Sequence, residues 1–473
     1  MDEETRKVLS DPSVMFPNGT SRVPRWANFG STRRSEYIDL VLKQLVAGKV
    51  GLSSSPVASG SVFVVAKRGS SNLREVWNGK LISSVAAVPP KPPFLANPAV
   101  LGELEASPER PIHVSGRDGR SFFDQLGLES DIKLMMGRPA VAVSELVDRG
   151  VTAGVISGIT DLQAKVVDDS CLSASSQVAP VPLVFPMGFA WSSYVAQSVM
   201  LDTCRRAGFK DSQFICEERK LPPLEGGACS IATDDVLHFL QASEDEVQGM
   251  TEKPLAALDK IWDDIGLDAQ KQTSFDLQTS AVCLGISLRN GTRLGPKSDR
   301  LWSILESGID FSTRATCTPS QLQSLTGVLQ WHNLLARALF SCLNAVYAFG
   351  FITPADREVD IWPTVRSEVL LNIALFPLWT ADLTRRWTSI VAASDASPAY
   401  GFGLAVARLD PQFVREAAEH AGTGGDHYFR LHRIESDPVE LKRNGIPHRL
   451  PLRWKDFRVA LSIKQKKTGC SFW

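Results

Sequence analysis

The chain has 473 residues, of which 44% are hydrophobic and 22% are charged, and its formal net charge is −1. This composition excludes a disordered chain and a membrane protein, and the length predicts two to four domains with sizeable cores. The polar, acidic first residues do not form a secretory signal, and the eight cysteines contain no CxxC pair. Both features favour a reduced intracellular protein without structural zinc or disulfides. The net charge does not favour nucleic-acid binding, although residues 431–473 carry ten Lys and Arg against four Asp and Glu.

The first elements in chain order are a helix predicted over 35–47 and a β-hairpin predicted over 61–78. The hairpin carries Lys67 and Arg74 near its turn. Cations on a hairpin can grip a triphosphate, and solvated surface charge is the alternative interpretation. The Pro-rich residues 88–98 predict an extended linker.

In two further segments, a glycine lies shortly after the end of a predicted strand. A short strand is predicted to end near Asp118, which Gly119 follows, so that carboxylate and backbone oxygens are available to one metal ion. Later, an apolar strand leads through the Pro-Met-Gly turn at 186–188 into a helix that ends near Gly208. Gly188 would allow the backbone to approach whatever occupies a neighbouring cleft.

Residues 228–240 predict a tight β-hairpin with Asp234 and Asp235 at its tip. Neighbouring aspartates repel each other and lose hydration in a semi-buried turn, so the arrangement is costly unless a hard cation or a basic partner balances it. The alternative is a solvated Asp-Asp turn. The dipeptide alone does not decide between them.

The second half of the chain is predicted to be mainly helical before it returns to strands. The expected elements are a helix over 254–265 with Lys271 after it, a strand over 280–288 with an Asn-Gly turn, a helix capped by Thr318, a buried helix over 334–352, and a strand-turn-strand unit with Asp395 over 389–407.

Taken together, these pieces form an ordered set that resembles the reverse transcriptases of retrotransposons over roughly residues 60–407. The resemblance implies a right-hand polymerase fold of the mixed α/β (α+β) class. The implied domains are an N-terminal extension (1–55), fingers (56–110), a palm (111–290) with an inserted fingers segment at about 130–180, thumb or connection helices (291–380), and a partial RNase H-like domain with a basic tail (385–473). That last domain is expected to be truncated or inactive, because the chain stops near the position of its next acidic ligand.

The resemblance also implies a role for each singled-out residue. The implied catalytic and metal-binding residues are Asp118, Asp234 and Asp235, with Gly119 as a further metal ligand. The implied nucleotide-binding residues are Lys67 and Arg74 on the triphosphate, Phe123 as a gate against a ribose 2′-hydroxyl, Met187 and Gly188 beside the incoming nucleotide, and Lys271 as proton donor to pyrophosphate. Leu284 and Gly285 would form the primer grip, and Asp395 would open the RNase H-like domain.

The same resemblance implies two Mg²⁺ ions, with Mn²⁺ as a substitute, and as partners an RNA template, a DNA primer and deoxynucleoside triphosphates. Four departures from the family pattern leave activity open: Ala232 replaces an aromatic residue, Met187 and Asn78 replace common residues, and Gly116-Arg117 is unusual before a buried aspartate. Three hypotheses follow. The chain is a metal-dependent RNA-directed DNA polymerase, a palm that binds nucleic acid without polymerising, or an unrelated protein in which Asp118 lies far from Asp234.

Overall fold

The computed structural model describes residues 6, 11–17, 33–54, 56–66, 73–128, 131–152, 176–217, 219–397, 401–418 and 457–464. Helices and sheets alternate along these residues, which confirms the predicted mixed α/β class. Lys67, residues 153–175 of the predicted inserted segment and most of the predicted basic tail lie outside them. In the described part of the chain, no helix has the length and apolar character needed to cross a membrane.

The α-helices of the described residues begin with or without a side-chain cap. They span Pro12–Met15, Arg34–Val46, Lys80–Val85, Pro98–Leu101, Val143–Val147, Ser192–Arg206, Glu244–Gln248, Ala256–Ile265, Ser298–Thr313, Pro319–Asn333, Asn344–Gly350, Pro363–Ala374 and Pro411–Ala418. Thr318 caps the helix after it in a capping box with Gln321, as predicted. Gly266 ends the Ala256–Ile265 helix in the left-handed conformation, also as predicted.

The prediction of a single helix over 334–352 is wrong. A 3₁₀ segment, Arg337–Cys342, precedes the Asn344–Gly350 helix, and Leu343 between them is not helical. The carboxylate of Glu368 accepts hydrogen bonds from the backbone N–H groups of Ala345 and Val346, at 3.0 and 2.9 Å. A distant acidic side chain therefore satisfies the N–H groups of a new helix start, which the apolar sequence did not reveal.

The central sheet contains the strands Ala228–Ala232, Asp235–Gln241, Ile112–Asp118 and Phe275–Gln278, in that order and antiparallel. Side chains alternate between its faces. On one face, Val236 packs in a core with residues of the Ser192–Arg206 and Ala256–Ile265 helices. On the other face, Val114, Leu237 and Phe239 pack against the following sheet. Because both faces are covered by apolar contacts, the strand register is strongly specified.

The remaining strands of the described residues form five further sheets of two to four strands. In order of hydrogen-bonded neighbours they are Val50–Ser53, Gln177–Pro182 and Val141–Ala142; Ser61–Ala66 and Leu73–Asn78; Ala281–Cys283, Ile286–Arg289, Arg293–Pro296 and Ala381–Asp382; Thr316–Cys317 and Val359–Asp360; and Ile390–Ser397, Gly401–Arg408 and Arg458–Lys464. The hairpins predicted over 61–78 and 228–240 and the strand pair over 389–407 are confirmed.

The prediction of a single strand over 280–288 is wrong, because the chain reverses direction in the middle of this segment. Ala281–Cys283 and Ile286–Arg289 form a hairpin around Leu284 and Gly285, whose φ angles are 50° and 76°. Two positive φ angles are typical of the tight turn that matches the twist of paired strands. The Asn290-Gly291 turn that follows has the same character, with φ angles of 50° and 63°, as predicted.

His238 in the central sheet should make stability depend on pH. Its ring is buried beside Phe209, its Nδ1 has no hydrogen-bond partner among the described residues, and burial lowers its pKa to about 4. An unfolded histidine titrates near pH 6.5, so the unfolded chain takes up the proton first, and stability falls as the pH drops from about 6.5 to about 4.

We expect this residue to account for a loss on the order of 3 kcal/mol in the free energy of unfolding across that range. The measurement is urea denaturation at several pH values for the parent chain and for His238→Gln, which cannot titrate. The variant should show a flatter dependence on pH. Parallel curves for the two proteins would contradict the assignment.

Candidate functional site

Three aspartates meet at one end of the central sheet. Asp118, the last residue of its strand, pairs directly with Asp235, and the N–H of Gly119 donates to the carbonyl of Asp234 at 2.9 Å. Asp234 lies in the turn that precedes Asp235. The strand pairing therefore brings Asp118 beside Asp234 and Asp235, as the hypothesis of a shared site requires.

The turn that carries Asp234 is held by a residue that the sequence did not single out. Thr233 has a φ of 62°, a rare conformation for a β-branched residue. Its N–H donates to Oε1 of Gln197 at 2.8 Å, and Nε2 of Gln197 donates to the carbonyl of Ile231 at 3.2 Å. Gln197 is fully buried in the Ser192–Arg206 helix. An amide on the sheet-facing side of that helix was the available signal.

The site carries negative charge that the protein does not fully balance. Loss of hydration raises the pKa of Asp234; its backbone hydrogen bond and Arg74 oppose this shift, and the charge of Asp118 adds to it. Asp235 is an exposed residue; partial loss of hydration at its carboxylate, then the charge of Asp234, then that of Asp118 raise its pKa to about 7. A cation at this end of the sheet would offset both the loss of hydration and the repulsion between the carboxylates.

The donor set is suited to one kind of ion. Carboxylate and carbonyl oxygens are hard ligands, which Mg²⁺ prefers. Within the described residues, no group of three or more His, Cys, Asp or Glu side chains is arranged to hold a metal ion. Mg²⁺ commonly takes one or two protein carboxylates together with water and substrate phosphates, so these residues fit a magnesium site that a phosphate ligand completes.

Arg117 and Gly116, which are unusual before a buried aspartate, have structural partners. The guanidinium of Arg117 is buried and pairs with Asp259 at 2.6 Å and Asp276 at 3.2 Å. A Cβ atom on Gly116 would lie 2.6 Å from the ring of Phe275, so only glycine fits. Both residues join the strand that ends at Asp118 to the neighbouring helix and strand.

The Pro-Met-Gly turn packs against the 61–78 hairpin. The N–H of Trp77 donates to the carbonyl of Met187 at 3.1 Å. Gly188 has a φ of 111°, and a Cβ atom there would lie 2.1 Å from the Trp77 carbonyl oxygen. The close approach that Gly188 permits is therefore to the hairpin backbone. On that hairpin, Arg74 is near enough for its charge to act on Asp234.

The other predicted site residues are placed as follows. Phe123 is half-buried against the core beneath the central sheet. Lys271 is exposed in a loop that contacts the Asp118 segment, where the N–H of Gln270 donates to the Asp118 carbonyl at 2.6 Å. Leu284 and Gly285 form a hairpin turn whose Leu284 carbonyl accepts from Nε1 of Trp331 at 3.0 Å. Asp395 lies opposite Gly403 in a separate sheet.

No family model matches the sequence, and no curated protein matches it. Among solved structures, the chain is similar to a foamy viral protease-reverse transcriptase dRH in complex with double-stranded DNA. The identity is 13% and the TM-score 0.49, over 82% of this chain and 55% of that one, so this chain spans little more than half of that protein. A foamy viral protease-reverse transcriptase in complex with double-stranded DNA gives 13% identity and a TM-score of 0.49 over 89% of this chain and 71% of that one.

Replacement of Gln197 tests the support of the Asp-Asp turn. Gln197→Leu removes the partner of the Thr233 N–H and the Ile231 carbonyl at a buried position, so we expect a loss of about 1–3 kcal/mol in the free energy of unfolding. The measurement is urea denaturation monitored by tryptophan fluorescence. The matched control is Ser198→Ala, because that hydroxyl donates only within its own helix, to Tyr194 at 2.9 Å. Equal midpoints for the two variants would contradict the role of Gln197.

Proposed function

We propose that this chain is an RNA-directed DNA polymerase of the retrotransposon type, which adds deoxynucleotides to a DNA primer on an RNA template. One observation carries the proposal: the register of the central sheet brings Asp118 beside Asp234 and Asp235, and the charge of Arg74 acts on Asp234. Nucleotidyl transfer needs carboxylates that hold metal ions together with cations that bind phosphate. The three aspartates and Arg74 would supply these groups.

The proposed metal ligands are Asp118 and Asp234, with Asp235 and the backbone of Gly119 as secondary ligands. Mg²⁺ bound there, or Mn²⁺ in its place, would activate the primer hydroxyl and stabilise charge on the leaving oxygens. Arg74, with Lys67, would bind the triphosphate of the incoming nucleotide, because a guanidinium can donate two parallel hydrogen bonds to phosphate oxygens. Lys271 would donate a proton to the departing pyrophosphate.

The remaining assignments extend the proposal to the substrates. Phe123 would exclude a ribose 2′-hydroxyl, Met187 and Gly188 would lie beside the nucleotide and template, and Leu284 and Gly285 would position the primer. The fingers, palm, thumb and partial RNase H-like domains keep their predicted boundaries in this proposal. Asp395 is assigned to that last domain.

A second candidate function is a palm that binds nucleic acid without polymerising. Two observations favour it. Ala232 leaves the Asp-Asp turn without the aromatic residue usual in the family, and the described residues contain no preassembled group of three acidic or imidazole metal ligands. Such a protein would retain Arg74 and the other cations for phosphate binding but would lack turnover.

A primer-extension assay with poly-rA, oligo-dT and Mg²⁺ separates the two functions. We expect incorporation by the parent chain and a loss of at least about a hundredfold in Asp234→Asn, because changes that only reorient a metal ligand already cost 10–100-fold. The matched control is Asp264→Asn, an exposed aspartate at the end of the Ala256–Ile265 helix, which should retain activity.

The outcomes discriminate clearly. Incorporation that survives in Asp234→Asn would overturn the proposed site. Binding of the primed template by the parent chain without any incorporation would support the second candidate function and exclude the first.

A further inference from the structure

The loop 268–274 folds closely over the strand end that carries Asp118. The N–H of Arg120 donates to the Asp268 carbonyl at 2.8 Å, and Gly119 forms an antiparallel bridge with Ala269. The side chain of Gln125 accepts from the N–H of Asp268 at 2.7 Å and donates to its carbonyl at 3.2 Å. The loop is thus fixed at both the backbone and the side-chain level.

One side chain of this loop reaches the carboxylate itself. Oγ1 of Thr273 lies 3.0 Å from Oδ2 of Asp118, and also 3.0 Å from the carbonyl of Gln270. A hydroxyl has a single proton and can donate to only one of these acceptors at a time. An ionised carboxylate is a stronger acceptor than a carbonyl group, so the Thr273 proton goes to Asp118. The neighbouring Ser274 hydroxyl donates to the Gln270 carbonyl, at 3.2 Å.

This contact has a consequence for the orientation of Asp118. A hydrogen bond to Oδ2 restricts the rotation of the carboxylate, while Oδ1 stays available to another ligand. Groups that orient a metal ligand in this way commonly change metal affinity 10–100-fold when they are removed.

We infer that Thr273 is a positioning residue: its hydroxyl holds the Asp118 carboxylate in the orientation that binds a divalent cation. The inference rests on the proposed function in that Asp118 is taken as a metal ligand. It adds to that function a residue that acts through Asp118 and touches neither nucleotide nor primer.

The test is a titration of the full chain with Mn²⁺ alone, without nucleic acid or nucleotide. Binding is measured by electron paramagnetic resonance of the ion that remains free. Thr273→Val keeps the shape of the side chain and removes the hydroxyl, and we expect at least about tenfold weaker binding at the Asp118-dependent site. Thr273→Ser restores the hydroxyl and should restore the affinity. The matched control is Ser274→Ala, which removes the neighbouring hydroxyl that does not reach Asp118 and should leave the affinity unchanged.

Asp118→Asn defines the site in the same titration. If it loses Mn²⁺ binding while Thr273→Val does not, the role of Thr273 is wrong and the proposed function stands. If the parent chain binds no more Mn²⁺ than Asp118→Asn, then Asp118 does not bind the ion alone and the role of Thr273 is wrong, whereas the proposed function is decided by the primer-extension assay. Equal losses in Thr273→Val and Thr273→Ser would show that the loop needs the intact threonine rather than its hydroxyl, and would also overturn the inference.

Discussion

The pairing of the Ile112–Asp118 strand with the Asp235–Gln241 strand is the interaction on which the site depends. It places Asp118 opposite Asp235, and the adjoining hydrogen bond from Gly119 to Asp234 fixes the turn beside them. A slip of one residue would reverse every side chain of the strand between the two faces of the sheet. The buried residues on both faces, such as Val236 towards the helices and Val114 towards the second sheet, make such a slip costly. The carboxylates therefore meet because the apolar residues of the same strands have no other register.

Bringing these carboxylates together has an electrostatic cost, and buried contacts nearby hold the backbone that carries them. Desolvation and repulsion between the carboxylates raise the pKa of Asp234 and Asp235, so that ionising these two groups in the folded chain carries a penalty. Buried contacts nearby keep the backbone in place despite this penalty. Gln197 holds the turn through the Thr233 N–H, and Arg117 ties the Asp118 strand to Asp259 and Asp276. A site of this kind is rigid in its backbone and unbalanced in its charge, which suits a cation that arrives with its own phosphate ligands.

Local features of the sequence predicted much of the secondary structure. The hairpins followed from alternating apolar residues with polar turns, and the helix after Thr318 followed from its capping residues. The errors arose where a distant residue or a glycine changed the outcome. Glu368 starts a new helix inside an apolar segment, and the positive φ angles at Leu284 and Gly285 fold an apparent strand into a hairpin. Gln197 was missed because an amide on the buried side of an amphipathic helix does not reveal its partner until the hairpin that it contacts is in place.

By itself, the sequence indicated most of the turns, the caps at Thr318 and Gly266, the alternation of the strands and the residue types that the proposed reaction requires. Those properties depend on a few neighbouring residues, so they can be recognised in one chain. Only the tertiary structure decided that Asp118 lies beside Asp234, that the charge of Arg74 acts on Asp234, and that Arg117 pairs with Asp259 rather than with these aspartates. The reason is physical: strand register and helix packing are set by burial summed over the whole core, and no local pattern reports that sum.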